Sequence, residues 1–318
     1  MKTLTCLLKV VVVCSVIGST ATLANAQATR TWVASSAGGG DDAAPCSRTA
    51  PCLTFAGAIS KTSEGGEIDV IDPGSYGAVT VTKAITIDGG TGSGWAGILA
   101  SGTGSAGIIV NVTSGDHADN AKVILRHLTI SGAKQAPGNA GDIGIHVIKV
   151  SELHIESVNI QYFSSQGINI DGADAINVFI NHVSLSHDVT AVRVNTATGF
   201  VATTYLDDVS IQGNNNGVNE VANAFAVIRN SFFSENRGTL GAVKASSGCT
   251  VSLENNMFAG NNIAVNVAAG GTANISNNSF YGNVTALSGA GTIATATNSN
   301  KFALNTSDGA TNATITLK

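Results

Sequence analysis

Apolar and polar positions alternate in short bursts between about residues 119 and 305, and one theme keeps returning. Segments 125–130, 154–160, 180–185, 206–211, 228–233, 253–258 and 275–280 each close on an apolar anchor, and a weaker copy closes on Phe302. The anchors Ile130, Ile160, Leu185, Ile211, Phe233, Phe258, Phe280 and Phe302 lie 30, 25, 26, 22, 25, 22 and 22 residues apart. Period-two alternation over so few residues predicts short, half-buried strands. A repeat of this length cannot bury its apolar face alone, so successive units must stack into a solenoid.

Stacking has consequences for every position. Each coil supplies three short strands, and coils pair in parallel about 4.8 Å apart, so equivalent residues lie above one another. Three residues after the anchor stand Asn214, Asn236, Asn261, Asn283 and Asn305, and three before it Asn230, Asn255 and Asn277. Stacked amides can hydrogen-bond along the axis at turns where the backbone is unpaired, so these asparagines are expected to be structural. Phe233, Phe258, Phe280 and Phe302 are expected to stack inside the later coils, as core.

Upstream of the repeat, Phe55, Ala58 and Ile59 at helical spacing, with Thr54 as N-cap, predict a short helix over residues 54–61. It would cover the first coil, whose apolar interior and strand edges would otherwise meet water. Residues 67–71 read as the first strand, and Val79, Val81, Ile85 and Ile87 continue the alternation. Trp32 and Trp95 are assigned to covering the N-terminal coils, and the alternation over 314–317 to a last strand. The glycine-rich stretch 89–94 has no following Gly-Lys-Ser/Thr and so is no phosphate loop.

Composition agrees with a tightly stacked β structure: of 318 residues, 37 are Gly, 4 are Pro and 12% are charged, against about 25% charged in ordinary domains. Lys2 and Lys9, an apolar run over 10–17 and the small residues 24–26 form an export signal over 1–26. Removing it leaves 14 basic and 21 acidic residues, a net charge of −7, because the signal holds two lysines and no acid. That balance argues against nucleic-acid partners. No later run is long enough for a membrane helix, so the chain is expected to be secreted, periplasmic or held at the cell surface. In an oxidising compartment Cys46 and Cys52 in the 27–53 segment could close a small disulfide loop; the alternative is two free thiols. Cys249 shares strand parity with Val251 and Leu253 and is expected to be a buried filler.

The opening strands over 68–89 and the repeats over 123–302 resemble the right-handed parallel β-helix proteins of pectate-lyase-like architecture, over roughly 54–318. Residues 45–59 are also similar to the start of secreted bacterial members. The resemblance implies an all-β single-stranded right-handed parallel β-helix of about 10 coils with a short N-terminal capping helix. It also implies a groove for acidic polysaccharide along the third strand of each coil.

In that third strand, Ile145-Val147, Ile168-Ile170, Val192-Val194, Val218, Val243-Ala245 and Val265-Val267 turn inward by parity. His146, Asn169, Arg193, Asn219, Lys244 and Asn266 then form one outward column, the candidate substrate-binding surface, beside loops 131–142, 162–166 and 186–190. Cations with amides between them suit uronate carboxylates and hydroxyls; the alternative is a solvated strand face that has to be polar in any case. For a lyase, His146, Arg193 and Lys244 are the candidate bases, and Asp142 and Asp188 the candidate calcium ligands. Asp207-Asp208 falls at another turn, and the sets of a polygalacturonase or a Ser/His/Asp enzyme are not present together. His127, His154, His182 and His187 fall at different points in the coil, which argues against a metal site. The expectation is a non-catalytic polysaccharide-binding or cell-surface protein, with a uronate lyase or glycoside hydrolase and a structural or adhesive rod as alternatives.

Overall fold

The structure is a computed structural model that describes residues 27–90, 96–113, 120–133, 140–172, 174–296 and 298–315. The export signal over 1–26, Trp95 and the middle of the 131–142 loop lie outside the described residues. The strands form three long parallel sheets of twelve, ten and nine strands, visited in turn by each coil. Glu152–Glu156, Asn159–Gln161 and Gln166–Ile170 make one such circuit before Ile176–Asn181 returns to the first sheet. Alternation drives this arrangement, since Ile155, Ile160, Ile168 and Ile170 point inward and are fully buried. The chain is a right-handed parallel β-helix: the pattern predicts the stacked solenoid, and the resemblance to β-helix proteins implies its hand.

The interior is built of like on like. Phe233, Phe258, Phe280 and Phe302 stack with centroids 4.8, 5.0 and 4.9 Å apart, which is the coil spacing itself. Asn214, Asn236, Asn261, Asn283 and Asn305 form an internal ladder. Each side-chain oxygen from Asn236 onward accepts from the preceding asparagine's backbone and amide nitrogens, as from Asn236 to Asn261 at 3.1 and 3.0 Å. Each amide also donates to a strand carbonyl one coil back, as Asn261 Nδ2 does to Phe233 O at 2.9 Å. Buried donors and acceptors left idle by the turn are thereby satisfied.

The second ladder lies one residue from where the repeat suggests. Asn230, Asn255 and Asn277 have φ of 52°, 55° and 56° and are exposed. Asn255 Nδ2 donates to Asn230 Oδ1 at 2.8 Å, and Asn230 Nδ2 to Asp207 Oδ1 at 2.7 Å, on the outside. The following residues turn inward, so Ser231, Asn256 and Asn278, all buried, and the half-buried Asn300 make the inner ladder. A left-handed residue reverses the local direction of the chain, and asparagine tolerates that conformation. The period cannot say which of two consecutive asparagines is which.

The N-terminus also enters the solenoid earlier than residue 54. Ala28–Val33 pairs in parallel with Thr62–Val70 as the first strand of the twelve-stranded sheet. Cys46 and Cys52 are disulfide-bonded, with Cα atoms 4.6 Å apart, and Trp32 N and O bond to Cys46 O and Cys52 N on either side. Helix α1 (Phe55–Ile59) follows; Thr54 Oγ1 accepts from Gly57 N at 2.9 Å, and Phe55 packs on Tyr76 at 5.4 Å. The last strand among the described residues is Ala313–Thr314; the end of the expected strand, 316–317, lies outside them.

The internal and external asparagines should differ sharply on substitution. Asn261→Leu strands buried polar partners in two neighbouring coils and should cost about 3 kcal/mol. Asn255→Ala, exposed, should cost under about 1 kcal/mol. Urea denaturation midpoints of the two variants check this, and equal losses would remove the internal ladder as a source of stability.

Candidate functional site

The nine-stranded sheet carries the outward column. His146, Asn169, Arg193, Asn219, Lys244 and Asn266 are directly paired from strand to strand in unshifted register. Their inward neighbours on either side are buried apolar residues, with one exception described below. Parity therefore fixes the column, although Asn169 and Asn219 are only 4 and 8% exposed and lie on its floor. Ile109 and Thr80 continue it toward the N-terminus and Ser288 toward the C-terminus.

The N-terminal half of the column is wired by Asp171, which the repeat does not mark. Asp171 accepts from His146 Nε2 at 2.8 Å and from Asn169 Nδ2 at 2.9 Å, and Arg193 donates to Asn169 Oδ1 at 3.1 Å. Burial alone raises the Asp171 carboxyl; the His146 bond and charge, the Asn169 bond and the Arg193 charge outweigh it and hold it below the ordinary carboxylate range. The signal was there to be read: Asp171 is two residues beyond Asn169, on the same face. The other half is looser. Lys244 makes no ion pair among the described residues, and Asn219 Oδ1 is buried without a hydrogen-bond partner. Asn266 Nδ2 reaches Leu240 O at 3.2 Å, bringing the preceding loop against the column.

The candidate calcium ligands have other occupations. Asp188 is 1% exposed and sits at the head of the internal asparagine ladder, accepting from Phe163 N at 2.8 Å while its own N–H donates to Asn214. Asp142 holds Gly104 N and Ser164 Oγ, both at 2.7 Å, and so pins two loops. Neither belongs to a group of three or more ligating side chains among the described residues. Such a group does occur on another sheet, where Glu67, Asp69 and Asp88 come together. Arg30 and Arg126 pair with it, and His127 bonds Asp88 at 2.8 Å, so it forms an ion-pair network. Burial, then the Glu67 bond, push Asp69 up to about 6 against the pull of Arg30.

The remaining histidines are held separately. His154 bonds Glu152 at 2.7 Å, His182 bonds Asp208 at 3.0 Å, and His187 stacks on Tyr162 at 5.0 Å. His127 and His182 do share one turn column, with φ of 56° and 53°, but they stand two coils apart.

Behind Asn219 lies the exception to the apolar lining. Glu220 points into the solenoid and is 0% exposed; its Oε1 accepts from Thr204 Oγ1 at 3.5 Å, and its Oε2 has no hydrogen-bond partner among the described residues. Burial, opposed by the Thr204 bond, pushes its carboxyl up to about 8. Cys249 is the neighbouring titratable group, buried as expected for a filler, and burial raises its thiol as well.

No family model matches the chain, and no curated protein matches it in sequence. Solved structures do match in shape. Pectate lyase Pel9A aligns with a TM-score of 0.53 at 16% identity, over 85% of this chain and 79% of its own. The GH136 lacto-N-biosidase from Eubacterium ramulus aligns at 0.58 and 11% identity, over 90% and 67%. XylC, solved in complex with xylose, aligns at 0.54 and 11% identity, over 86% and 66%. At these identities the likeness is one of fold, that of a right-handed parallel β-helix.

Glu220 generates a pH dependence. The folded carboxyl at about 8 binds its proton more tightly than the unfolded one near 4.5, so its contribution is whole below pH 4.5 and is lost as pH rises to about 8. Glu220→Gln should remove that slope. Relative to the wild type, the variant should gain on the order of 3–4 kcal/mol between those limits. Denaturation midpoints measured at both pH values check it, and parallel pH profiles would mean that Glu220 is solvated.

Proposed function

We propose that the protein is exported and binds anionic polysaccharide along the outward column of the nine-stranded sheet, as a recognition surface without chemistry of its own. The observation that carries this is the spacing of the cations. His146, Arg193 and Lys244 recur every second coil, with Asn169 and Asn219 between them, a step of about 9.5 Å on a 4.7–4.9 Å strand spacing. A linear glycan that carries carboxylates at regular intervals meets a cationic side chain at every second coil along such a line, with the nearly buried amides of Asn169 and Asn219 as the floor between them. The names of the similar structures, a pectate lyase, a lacto-N-biosidase and a protein holding xylose, lend support.

Two observations favour binding over turnover. Asp171, the carboxylate bonded into the column, is already engaged by His146 and Asn169, whereas glycoside hydrolysis uses a pair of carboxyls on either side of the bond. Asp142 and Asp188, which a calcium-dependent lyase could have used, are taken up by backbone and hydroxyl donors.

The test is a glycan-array screen of the purified protein with and without calcium, scored for binding and for ultraviolet-absorbing unsaturated products. Binding of a polyuronate without product is expected, weakening as salt rises. The triple variant His146→Ala, Arg193→Ala, Lys244→Ala should bind at least tenfold more weakly, about 1.4 kcal/mol, with unchanged thermal unfolding. Unsaturated products would make the protein a lyase, with Arg193 and Lys244 as the first bases to test. Silence in both channels would leave a structural rod.

A further inference from the structure

A second face of the solenoid is built unlike the first. On the twelve-stranded sheet, the neighbouring strands Ile176–Asn181, Ala202–Asp207 and Ala224–Arg229 turn Phe179, Tyr205, Phe225 and Val227 outward, with Val201 just before the middle strand. Tyr205, Phe225 and Val201 are 38, 37 and 53% exposed. Water-facing strand positions are ordinarily polar, and further along the same columns the chain does place Ser252, Thr250 and Asn274. Axial stacking accounts for part of the cluster only. His154, Phe179 and Tyr205 stack at 4.7 and 4.9 Å, which hides ring faces but leaves their edges in water. Phe225 and Val201 stand outside the stack. A contiguous aromatic cluster with a charged rim has the composition of a protein interface.

The rim indicates what docks there. The column flanking the cluster reads Glu156, Asn181, Asp207, Arg229, Glu254 in successive coils. Suppose a second copy lies face to face on this sheet, related by a two-fold axis along the strands. Each column then meets itself run backwards. With the axis midway between Ala202–Asp207 and Ala224–Arg229, Asp207 of each copy faces Arg229 of the other, Tyr205 faces Val227, and Asn181 faces Glu254. No like charges oppose one another in this column. Moving the axis onto either strand sets Asp207 against Asp207 or Arg229 against Arg229, and one coil toward the N-terminus Glu156 meets Arg229 and Arg126 meets Glu254, so the charges narrow the register to two, of which the first pairs Asp207 with Arg229. Within one chain Arg229 Nη2 and Asp207 Oδ2 are 2.9 Å apart, so docking closes two pairs into a four-charge ring.

We propose that this face is a homodimer interface, with two solenoids packed antiparallel through Tyr205, Phe225 and the Asp207–Arg229 rim. Six coils by six residues gives a footprint on the order of 500 Å² per copy from strand spacing and rise. That is below the roughly 800 Å² per partner of a standard interface, so the dimer should be a weak, concentration-dependent one.

Sedimentation equilibrium of the purified protein tests this. The average mass should rise from one chain toward two across the micromolar range. Arg229→Asp, which places four acids in the ring, should weaken association at least tenfold. Asp207→Arg with Arg229→Asp keeps every pairing with the signs exchanged and should restore it, which separates a lost interface from a lost fold. The triple variant of the nine-stranded sheet should dimerise like the wild type, so failure of the glycan proposal leaves this one standing. A wild-type protein that stays single to its solubility limit overturns the interface, as does association indifferent to Arg229→Asp. Glycan binding lost in Tyr205→Asp by a protein that never dimerises would overturn it too, and would assign the face to carbohydrate.

Discussion

The structure depends on one constraint, the parallel hydrogen-bonded stacking of each coil on the last. Because the step is about 4.8 Å and the register is kept, whatever a residue does, its equivalent one coil away must be able to do as well. Flat aromatic rings satisfy this by stacking, as Phe233, Phe258, Phe280 and Phe302 do. Asparagine satisfies it differently, since its amide both donates and accepts and so bonds to its own copies above and below. A buried carboxylate fits poorly. Asp188 is accommodated at the head of a ladder, where its carboxylate accepts from Phe163 N–H, and Glu220, with the Thr204 hydroxyl beside it, is pushed toward its neutral form.

The same constraint shapes the outer surface. A column facing outward repeats at the coil spacing, so any charge placed on it acquires a periodic relation to the next. On the nine-stranded sheet the result is a line of cations with amides between them. On the twelve-stranded sheet it is an aromatic cluster beside alternating charge, a pattern that can match itself in reverse. Linear repetition thus yields two faces of different chemistry from one interior.

The ends of the solenoid show where repetition fails. A first coil has no neighbour below, and here the gap is met by Ala28–Val33, helix α1 and the disulfide-closed segment between them. The helix announces itself through Thr54 and the spacing of Phe55 and Ala58. The strand does not, because Ala28–Val33 has no repeat to be compared with and pairs with a partner more than thirty residues away.

The sequence by itself determined the solenoid, its anchors, the aromatic stack, the ladder through Asn261 and the outward column from His146 to Asn266. All of these follow from a period and a parity, which are properties of a chain that can be read locally. Tertiary structure decided which of Asn255 and Asn256 turns inward, since one left-handed residue settles it. It decided that Asp188 turns into the interior and that Asp142 pins a loop junction. It decided that His146 is bonded to Asp171, and that Phe179, Tyr205 and Phe225, spread over three coils, come to lie on one face. Those outcomes depend on what stands one coil above and below, and only the folded stack supplies that neighbour.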